Sequence, residues 1–266
     1  MKTRQLGQNG VEVSAISLGC MNFTGFYGPS DKQESFACLD AARDQGINFL
    51  DTAEVYGTGA SEVLIGEYQK DRGYKFTIAT KGGMVIGGKR GENDNSEPAL
   101  RKALEGSMKR LKVDHVELYY IHRRDWSIEI EDVTQTLAKF KEEGKIGGFG
   151  FSEISPSSLR RAHAVHPVTA IQNEYSLWTR YPELGMLQTC KELGVTFLPF
   201  SPLGRGMLAK TFPNPNEFLE TDFRKNQPRF MEPNFSANCR IISGFREFAK
   251  SRGWDTSCAA LAWVLD

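Results

Sequence analysis

The hydrophobic positions of the chain fall into two alternating rhythms. Short runs of β-branched, aromatic and leucine residues occupy positions 16–19, 48–51, 76–81, 116–122, 146–152, 169–173 and 196–201, and runs of that length and composition read as strands. Between them, positions 32–45, 61–69, 98–111, 130–143, 157–165 and 182–193 carry the three-to-four-residue spacing of amphipathic helices. The punctuation agrees. Gly46 and Gly194 follow two of these helices, and Ser96-Glu97-Pro98 puts a capping residue and an early proline at the entrance of a third. Helical spacing returns at 237–251 and 256–266, after an aperiodic stretch at 211–233 that is rich in Pro, Asn, Phe and charge. A stretch of that length inside a compact domain reads as a lid or a mobile loop.

Strands alternating with helices predict an α/β fold on a parallel sheet. Two layouts accommodate these units, an open doubly wound sheet and a closed (β/α)8 TIM barrel. The open dinucleotide-binding sheet places G-x-G-x-x-G between its first strand and helix, whereas here the first strand runs into Leu18-Gly19-Cys20-Met21-Asn22-Phe23. The barrel is therefore favoured. A relaxed match, Gly204-Arg205-Gly206-Met207-Leu208-Ala209, does follow a strand, but Pro213 and Pro215 come soon after and bar the long crossover helix that the fingerprint requires. No linker or change in composition splits the chain, which is expected to be one barrel domain spanning 1–266.

Charge and composition remove several classes of function. Lys+Arg and Asp+Glu number 33 each and 40% of residues are hydrophobic, and a neutral chain without basic blocks lacks the footprint of a nucleic-acid binder. The longest apolar run, 259–265, falls far short of the roughly 18 residues of a membrane span, and positions 5–14 are too polar for a secretory leader. A cytoplasmic location is expected, with neither nucleic acid nor membrane as partner. Cys20, Cys38, Cys190, Cys239 and Cys258 are scattered and form no C-x-x-C, which points to plain thiols. His163 and His166 stand three apart without a third ligand nearby, so no metal is expected.

In a barrel of this kind the active-site groups sit at the C-terminal ends of strands. The second strand runs into Asp51-Thr52-Ala53-Glu54-Val55-Tyr56-Gly57, the third ends Ala79-Thr80-Lys81-Gly82-Gly83, and the fourth ends Tyr119-Tyr120-Ile121-His122. A phenol, with an ordinary pKa of about 10, is a sluggish acid at pH 7 unless its anion is stabilised. Lys81 is expected to lower the pKa of Tyr56, Asp51 to keep the lysine charged and oriented, and His122 to orient an incoming carbonyl oxygen. Taken singly, each residue has a structural explanation as a cap, a packing ring, a solvated charge or a satisfied histidine. Together, four such groups at three successive strand ends describe a protonation site for a carbonyl. Reduction also needs hydride, which no side chain donates, so a nicotinamide cofactor is implied.

These three segments resemble, in order and spacing, the catalytic signatures of the aldo-keto reductase family, and the resemblance covers essentially the whole chain. It implies a (β/α)8 barrel closed below by an N-terminal hairpin at 2–14. It implies NAD(P)H-dependent reduction of a small-molecule aldehyde or ketone, with NADPH the expected donor and NADH the alternative. Tyr56 would act as general acid, Lys81 and Asp51 as its tuning pair, and His122 as the substrate-orienting group. Cofactor positions carry over one at a time: Gly19, Met21 and Asp51 near nicotinamide and ribose, Ser152 and Gln172 on the carboxamide, and Phe200 against the ring face. Ser201, Pro202, Leu203, Gly204, Arg205 and Gly206 resemble the loop that wraps the pyrophosphate. Glu153 stands where many members have Asn, and a carboxylate can accept from the carboxamide NH2 but cannot donate to its C=O. The family continues into an eighth strand and helix bearing the residues that recognise the adenosine 2′-phosphate, and none of those follows Leu265. The chain is thus expected to end before that last unit.

Other features are less specific. Gly82-Gly83 and the basic stretch 87–91, with Lys89 and Arg90, read as a flexible surface loop, with a substrate-side lid as the alternative. Trp126, Trp178, Phe23, Phe26, Tyr27 and Met84 follow strand ends and are candidates for lining an apolar pocket. The alternative function is a cofactor-binding regulatory or accessory subunit with little turnover, since a fold does not settle function. A lyase or isomerase using metal or phosphate lacks clustered ligands at the strand ends.

Overall fold

The computed structural model of the chain describes residues 1–89 and 91–266, and Arg90 lies outside the described residues. Strands β1 (Thr3–Gln5) and β2 (Glu12–Ser14) pair antiparallel as an N-terminal hairpin. Then come β3 (Leu18–Gly19), α1 (Lys32–Asp44), β4 (Phe49–Asp51), α2 (Ala60–Arg72), β5 (Thr77–Gly82) and α3 (Glu97–Leu111). They are followed by β6 (Val116–Ile121), α4 (Ile130–Glu142), β7 (Ile146–Ser152), α5 (Pro156–Val165), β8 (Ala170–Glu174), α6 (Met186–Leu193) and β9 (Thr196–Phe200). The chain continues through α7 (Asn234–Ser251) and α8 (Thr256–Leu265). Strands β3 to β9 form one seven-stranded sheet in chain order, and every registered pair from β3 to β8 is parallel. The alternation of rhythms along the sequence therefore predicted the α/β class correctly.

Three local expectations change. The helix predicted at 182–193 divides, because a 3-10 turn at Tyr181–Leu184 is followed by Gly185 at φ +139° before α6 begins. The stretch 211–233 holds 3-10 turns at Pro215–Glu217, Phe223–Asn226 and Pro228–Phe230, single turns too short to leave a period in the sequence. Ser96 stands at the N-cap of α3 but its side chain makes no capping bond. Asp94 instead accepts the Ser96 N–H at 2.9 Å.

Contacts within the chain define two compact units. The first comprises Met1–Thr24, Ser30–Gln172 and Gly185–Leu198, and the second Gly25–Pro29, Asn173–Leu184 and Pro199–Asp266. In the first, the two-residue period of the strands sorts side chains onto two faces. Leu50, Ile78, Tyr119, Ile121, Phe149, Phe151 and Ile171 join the helices in the larger core, while Phe49, Ala79, Leu118, Tyr120 and Ala170 pack on the opposite face with Leu6 and Val13 of the hairpin. The second unit has its own core of Met207, Leu208, Phe218, Phe230, Ile242 and Ala260. Phe218 and Phe230 anchor the turns of the aperiodic stretch there.

All five cysteines are free. No described helix is long and apolar enough to cross a membrane. Among the described residues no group of three or more His, Cys, Asp and Glu side chains is placed to hold a metal. His163 serves the backbone instead, accepting the Val168 N–H at 3.2 Å through Nδ1.

Close packing makes one glycine in the sheet irreplaceable. A Cβ at Gly150 would stand 2.2 Å from the Ala170 carbonyl oxygen and 2.7 Å from the Tyr120 ring. Gly150→Ala is expected to lower the unfolding free energy by about 2 to 3 kcal/mol. Gly244→Ala, in α7 with open space around a Cβ, is expected to raise it by about 0.5 to 1 kcal/mol. Urea unfolding of the two variants checks the pair, and equal effects would contradict the packing described.

Candidate active site

The same two-residue period places the polar groups. Asp51 lies two residues after Phe49, Lys81 two after Ala79, Ser152 two after Gly150 and Gln172 two after Ala170, so all four continue the face that carries the smaller core. His122 follows Tyr120 by the same step. Parallel register puts their strand ends side by side: Gly19 opposite Asp51, Asp51 opposite Ala79, Lys81 opposite Tyr120, and Ser152 opposite Gln172.

Lys81 is the most constrained of these residues. It is 1% exposed, and each of its three ammonium protons has an acceptor: a carboxylate oxygen of Asp51, the Thr52 carbonyl oxygen at 2.8 Å, and the Tyr56 hydroxyl. Burial alone would strip the charge from a lysine, but the Asp51 carboxylate and the Tyr56 oxygen outweigh it, and the Lys81 pKa is raised. Gln172 fixes the other oxygen of Asp51, donating from Nε2 to Oδ2 at 2.6 Å.

Tyr56 sits in the turn after β4. The turn is tied down by Glu54 N–H to the Lys81 carbonyl at 3.1 Å and by the Thr52 hydroxyl to Ser61 at 2.9 Å. Gly57, Thr58 and Gly59 all have positive φ, which swings the chain into α2. Lys81 Nζ stands 5.2 Å from the Tyr56 ring centre, and the His122 ring meets the Tyr56 ring edge-on at 5.8 Å. Lys81 lowers the Tyr56 pKa as expected, but its effect does not prevail. Burial raises it, Lys81 opposes that rise, Asp51 adds to it, and the net shift is upward. The sequence named the ammonium but carried no measure of the desolvation around the phenol.

His122 is 8% exposed, and its pKa is pushed well below 6.5 by burial first and then by the charges of Lys81 and Arg123. Its Nδ1 is buried without a hydrogen-bond partner. Arg123, which strand-end reasoning passed over, bonds the His122 carbonyl at 2.6 Å and the Ser152 hydroxyl at 3.0 Å. Its signal was present in the sequence as a charged residue directly after His122. Glu62 and Arg110 were also missed. Fully buried Glu62 accepts from Thr80 at 2.5 Å and from Arg110 at 2.7 Å, holding β5 from its helix side.

Among the expected cofactor residues, Gly19 is exposed at the end of β3 with nothing within 4 Å of where a Cβ would stand, and Met21 opens the 3-10 turn Met21–Thr24. Ser152 and Gln172 are buried side by side. Glu153 is exposed, with its backbone at φ +59°. Phe200, Ser201, Pro202, Leu203, Gly204, Arg205 and Gly206 belong to the second unit, where Gly204–Gly206 form a 3-10 turn. The aromatic candidates are divided between the two units. Phe23 packs against the larger core, Trp178 against the core of the second unit, Phe26 against Phe223, and Trp126 is 75% exposed under Arg124.

A model of the aldo/keto reductase family matches residues 15–266. The chain belongs to that family. It is 40% identical over 264 residues to a probable aldo-keto reductase 1 of Glycine max, covering 98% of this chain and 76% of that one. It is 39% identical over 270 residues to an aldo-keto reductase yakc [NADP(+)] of Schizosaccharomyces pombe, covering 99% and 79%. Among solved structures, the glycerol dehydrogenase AKR11B4 from Gluconobacter oxydans superposes with a TM-score of 0.87 at 31% identity, covering 99% of this chain and 82% of that one. This aldo/keto reductase is thus a member of an oxidoreductase family.

The depressed pKa of His122 has a consequence for stability. The unfolded chain takes up a proton near pH 6.5 and the folded site does not, so stability held above that pH drains away as the pH falls below it. The His122 ring nitrogens are expected to keep their neutral-form 15N shifts through pH 6.5. His122→Gln should make the loss of unfolding free energy between pH 7 and pH 5 shallower.

Proposed function

We propose that this protein reduces aldehydes or ketones to alcohols with NADPH as the hydride donor and Tyr56 as the general acid. The observation that carries the reading is the Lys81 ammonium, saturated by Asp51, Thr52 and the Tyr56 oxygen in a buried site. The printed name of the fission-yeast relative, with its NADP(+), supports the choice of donor, and NADH is the alternative. The finer architecture we infer is a (β/α)8 barrel of one domain, in the cytoplasm, acting on a small carbonyl compound.

The strand ends fit a nicotinamide carboxamide. Arg123 donates to the Ser152 oxygen, leaving the Ser152 hydroxyl proton to donate outward, and the Gln172 NH2 is taken by Asp51, leaving its carbonyl oxygen to accept. One donor and one acceptor side by side match the C=O and NH2 of a primary amide. Gly19, without a side chain, and Met21 leave the neighbouring strand end open to the ring and ribose. Reduced nicotinamide, when bound, supplies the hydride that no side chain can.

The chain's own groups handle the proton. Burial keeps Tyr56 protonated at neutral pH, so it is loaded as an acid. Lys81 stabilises the phenolate as the proton leaves, which lowers the barrier without discharging the acid beforehand. Asp51 keeps Lys81 charged. Neutral His122 offers Nε2–H to the carbonyl oxygen and fixes its approach to Tyr56. In the direction of alcohol oxidation the Tyr56 phenolate takes the proton back.

The test follows NADPH absorbance with 4-nitrobenzaldehyde. Wild-type turnover should fall by about 10²- to 10⁴-fold in Tyr56→Phe, with the NADPH Kd little changed. Tight NADPH binding without turnover in the wild type would overturn the reductase reading in favour of a regulatory subunit.

A further inference from the structure

One guanidinium meets both ends of the turn that carries Tyr56. Arg110, the last residue but one of α3, donates from Nη2 to Glu54 Oε1 at 3.3 Å, where the chain leaves β4. At the far end of the turn stands Gly59, the N-cap of α2, at φ +88°. A Cβ there would lie 2.6 Å from Cδ and Nε of Arg110, so the arginine side chain rests directly on the Gly59 backbone. Tyr56 lies between these two points.

The same side chain reaches the strand that carries Lys81. Arg110 Nε donates to Glu62 Oε2 at 2.7 Å, and Glu62 Oε1 accepts from the Thr80 hydroxyl at 2.5 Å. Thr80 precedes Lys81 on β5, so its side chain faces the helices while that of Lys81 faces the site. The base of the arginine is fixed as well. A Cβ at Gly66 of α2 would lie 2.4 Å from the Arg110 carbonyl oxygen, and Arg110 Nη2 also donates to the Ser107 hydroxyl at 3.3 Å.

The charge balance sets Glu54 apart from a stabilising ion pair. Glu62 is fully buried and already pairs with Arg110, which leaves Glu54 as a second carboxylate on one cation. Burial raises the Glu54 pKa, Arg110 opposes the rise, Glu62 adds to it, and the net shift is upward. An acid whose pKa rises on folding costs stability once it ionises. At neutral pH the bond from Arg110 to Glu54 thus gives the turn its direction and adds nothing to the folding energy.

We propose that Arg110 is a positioning residue for the proton transfer, setting the distance from the Tyr56 hydroxyl to the Lys81 ammonium through Glu54 and Gly59 on one side and Glu62 and Thr80 on the other. The proposal rests on the reductase reading, which makes Tyr56 the acid. Proton transfer tolerates little error in distance, and here the turn and the strand are both referred to one side chain that lies outside the site.

The test uses the full chain, following NADPH oxidation by 4-nitrobenzaldehyde, NADPH binding and urea unfolding. Glu54→Ala should lower kcat by about ten- to hundredfold, with the aldehyde KM and the NADPH Kd unchanged within about twofold and an unfolding midpoint no lower than that of the wild type. Glu54→Gln keeps the acceptor and should recover most of kcat. Arg110→Lys leaves Glu62 paired but loses the branch to Glu54, so it should lose as much as Glu54→Ala, and the double variant no more than either. Additive losses, a loss carried by KM or Kd, an equal loss in Glu54→Gln, or an unfolding midpoint that falls along with kcat would each overturn the proposal. If the wild type does not turn over NADPH, the reductase reading fails and the brace is read from Tyr56 itself. Its 13Cζ resonance, identified through Tyr56→Phe, should titrate at lower pH in Glu54→Ala, because a loosened turn admits water and burial is the largest influence on the phenol. An unchanged titration would overturn the brace.

Discussion

A buried ammonium with every proton committed is the constraint around which the catalytic face is organised. A charge at the position of Lys81 is tolerable only when it is paired and fully hydrogen-bonded. Each of its partners comes from a different part of the chain's return from β4: the strand end at Asp51, the backbone at Thr52 and the turn at Tyr56. Losing one partner of such a pair destabilises by about 3 to 5 kcal/mol, because the other charge is left uncompensated. The placement of the Tyr56 phenol is therefore enforced by folding itself. The chain cannot bury Lys81 well without bringing Tyr56 and Asp51 to it.

Burial then acts on three ionisable groups with opposite results, and the combination is what gives the site its chemistry. Desolvation penalises whichever form is charged. It holds Tyr56 as a neutral phenol and His122 as a neutral imidazole. For Lys81 alone the local partners overcome it, and the cation survives. At neutral pH the face therefore carries a neutral phenol, a neutral imidazole and an ammonium paired with the Asp51 carboxylate, the set that the proposed acid role of Tyr56 requires. A fully charged or a fully neutral set would lack either the proton to give or the field that stabilises its departure.

Much of this was legible in the sequence, and the reason is periodicity. The strands repeat every second residue, so once Phe49, Ala79 and Ala170 are inward-facing, Asp51, Lys81 and Gln172 must be too. Tyr56 was legible by its place in a turn directly after a strand. What stayed hidden were quantities that depend on packing. The upward shift of Tyr56 needs the amount of protein around the phenol, and the Gln172 to Asp51 bond needs strands far apart in sequence to be brought together. The Glu54, Glu62 and Arg110 cluster joins a turn to two helices across as many as 56 residues of chain, a contact with no local sequence signal.

The two kinds of backbone suit two kinds of task. Proton transfer falls steeply with small errors in distance and angle, which favours groups mounted on strand ends whose neighbours are fixed by sheet hydrogen bonds. Asp51 and Ser152 end strands, Lys81 is the last residue but one of β5, and His122 follows β6 directly. Binding an anion is more forgiving of position but needs several N–H groups aimed at one spot, which regular strands and helices do not provide because their own hydrogen bonds consume them. The backbone at 201–206 is irregular, with Ser201, Gly204, Arg205 and Gly206 at positive φ, and its Gly204 and Gly206 N–H groups bond the Ser201 and Leu203 carbonyls at 2.8 and 3.1 Å. Substitutions at 201–206 should therefore be read first through backbone conformation, and those at 51, 81 and 122 through charge.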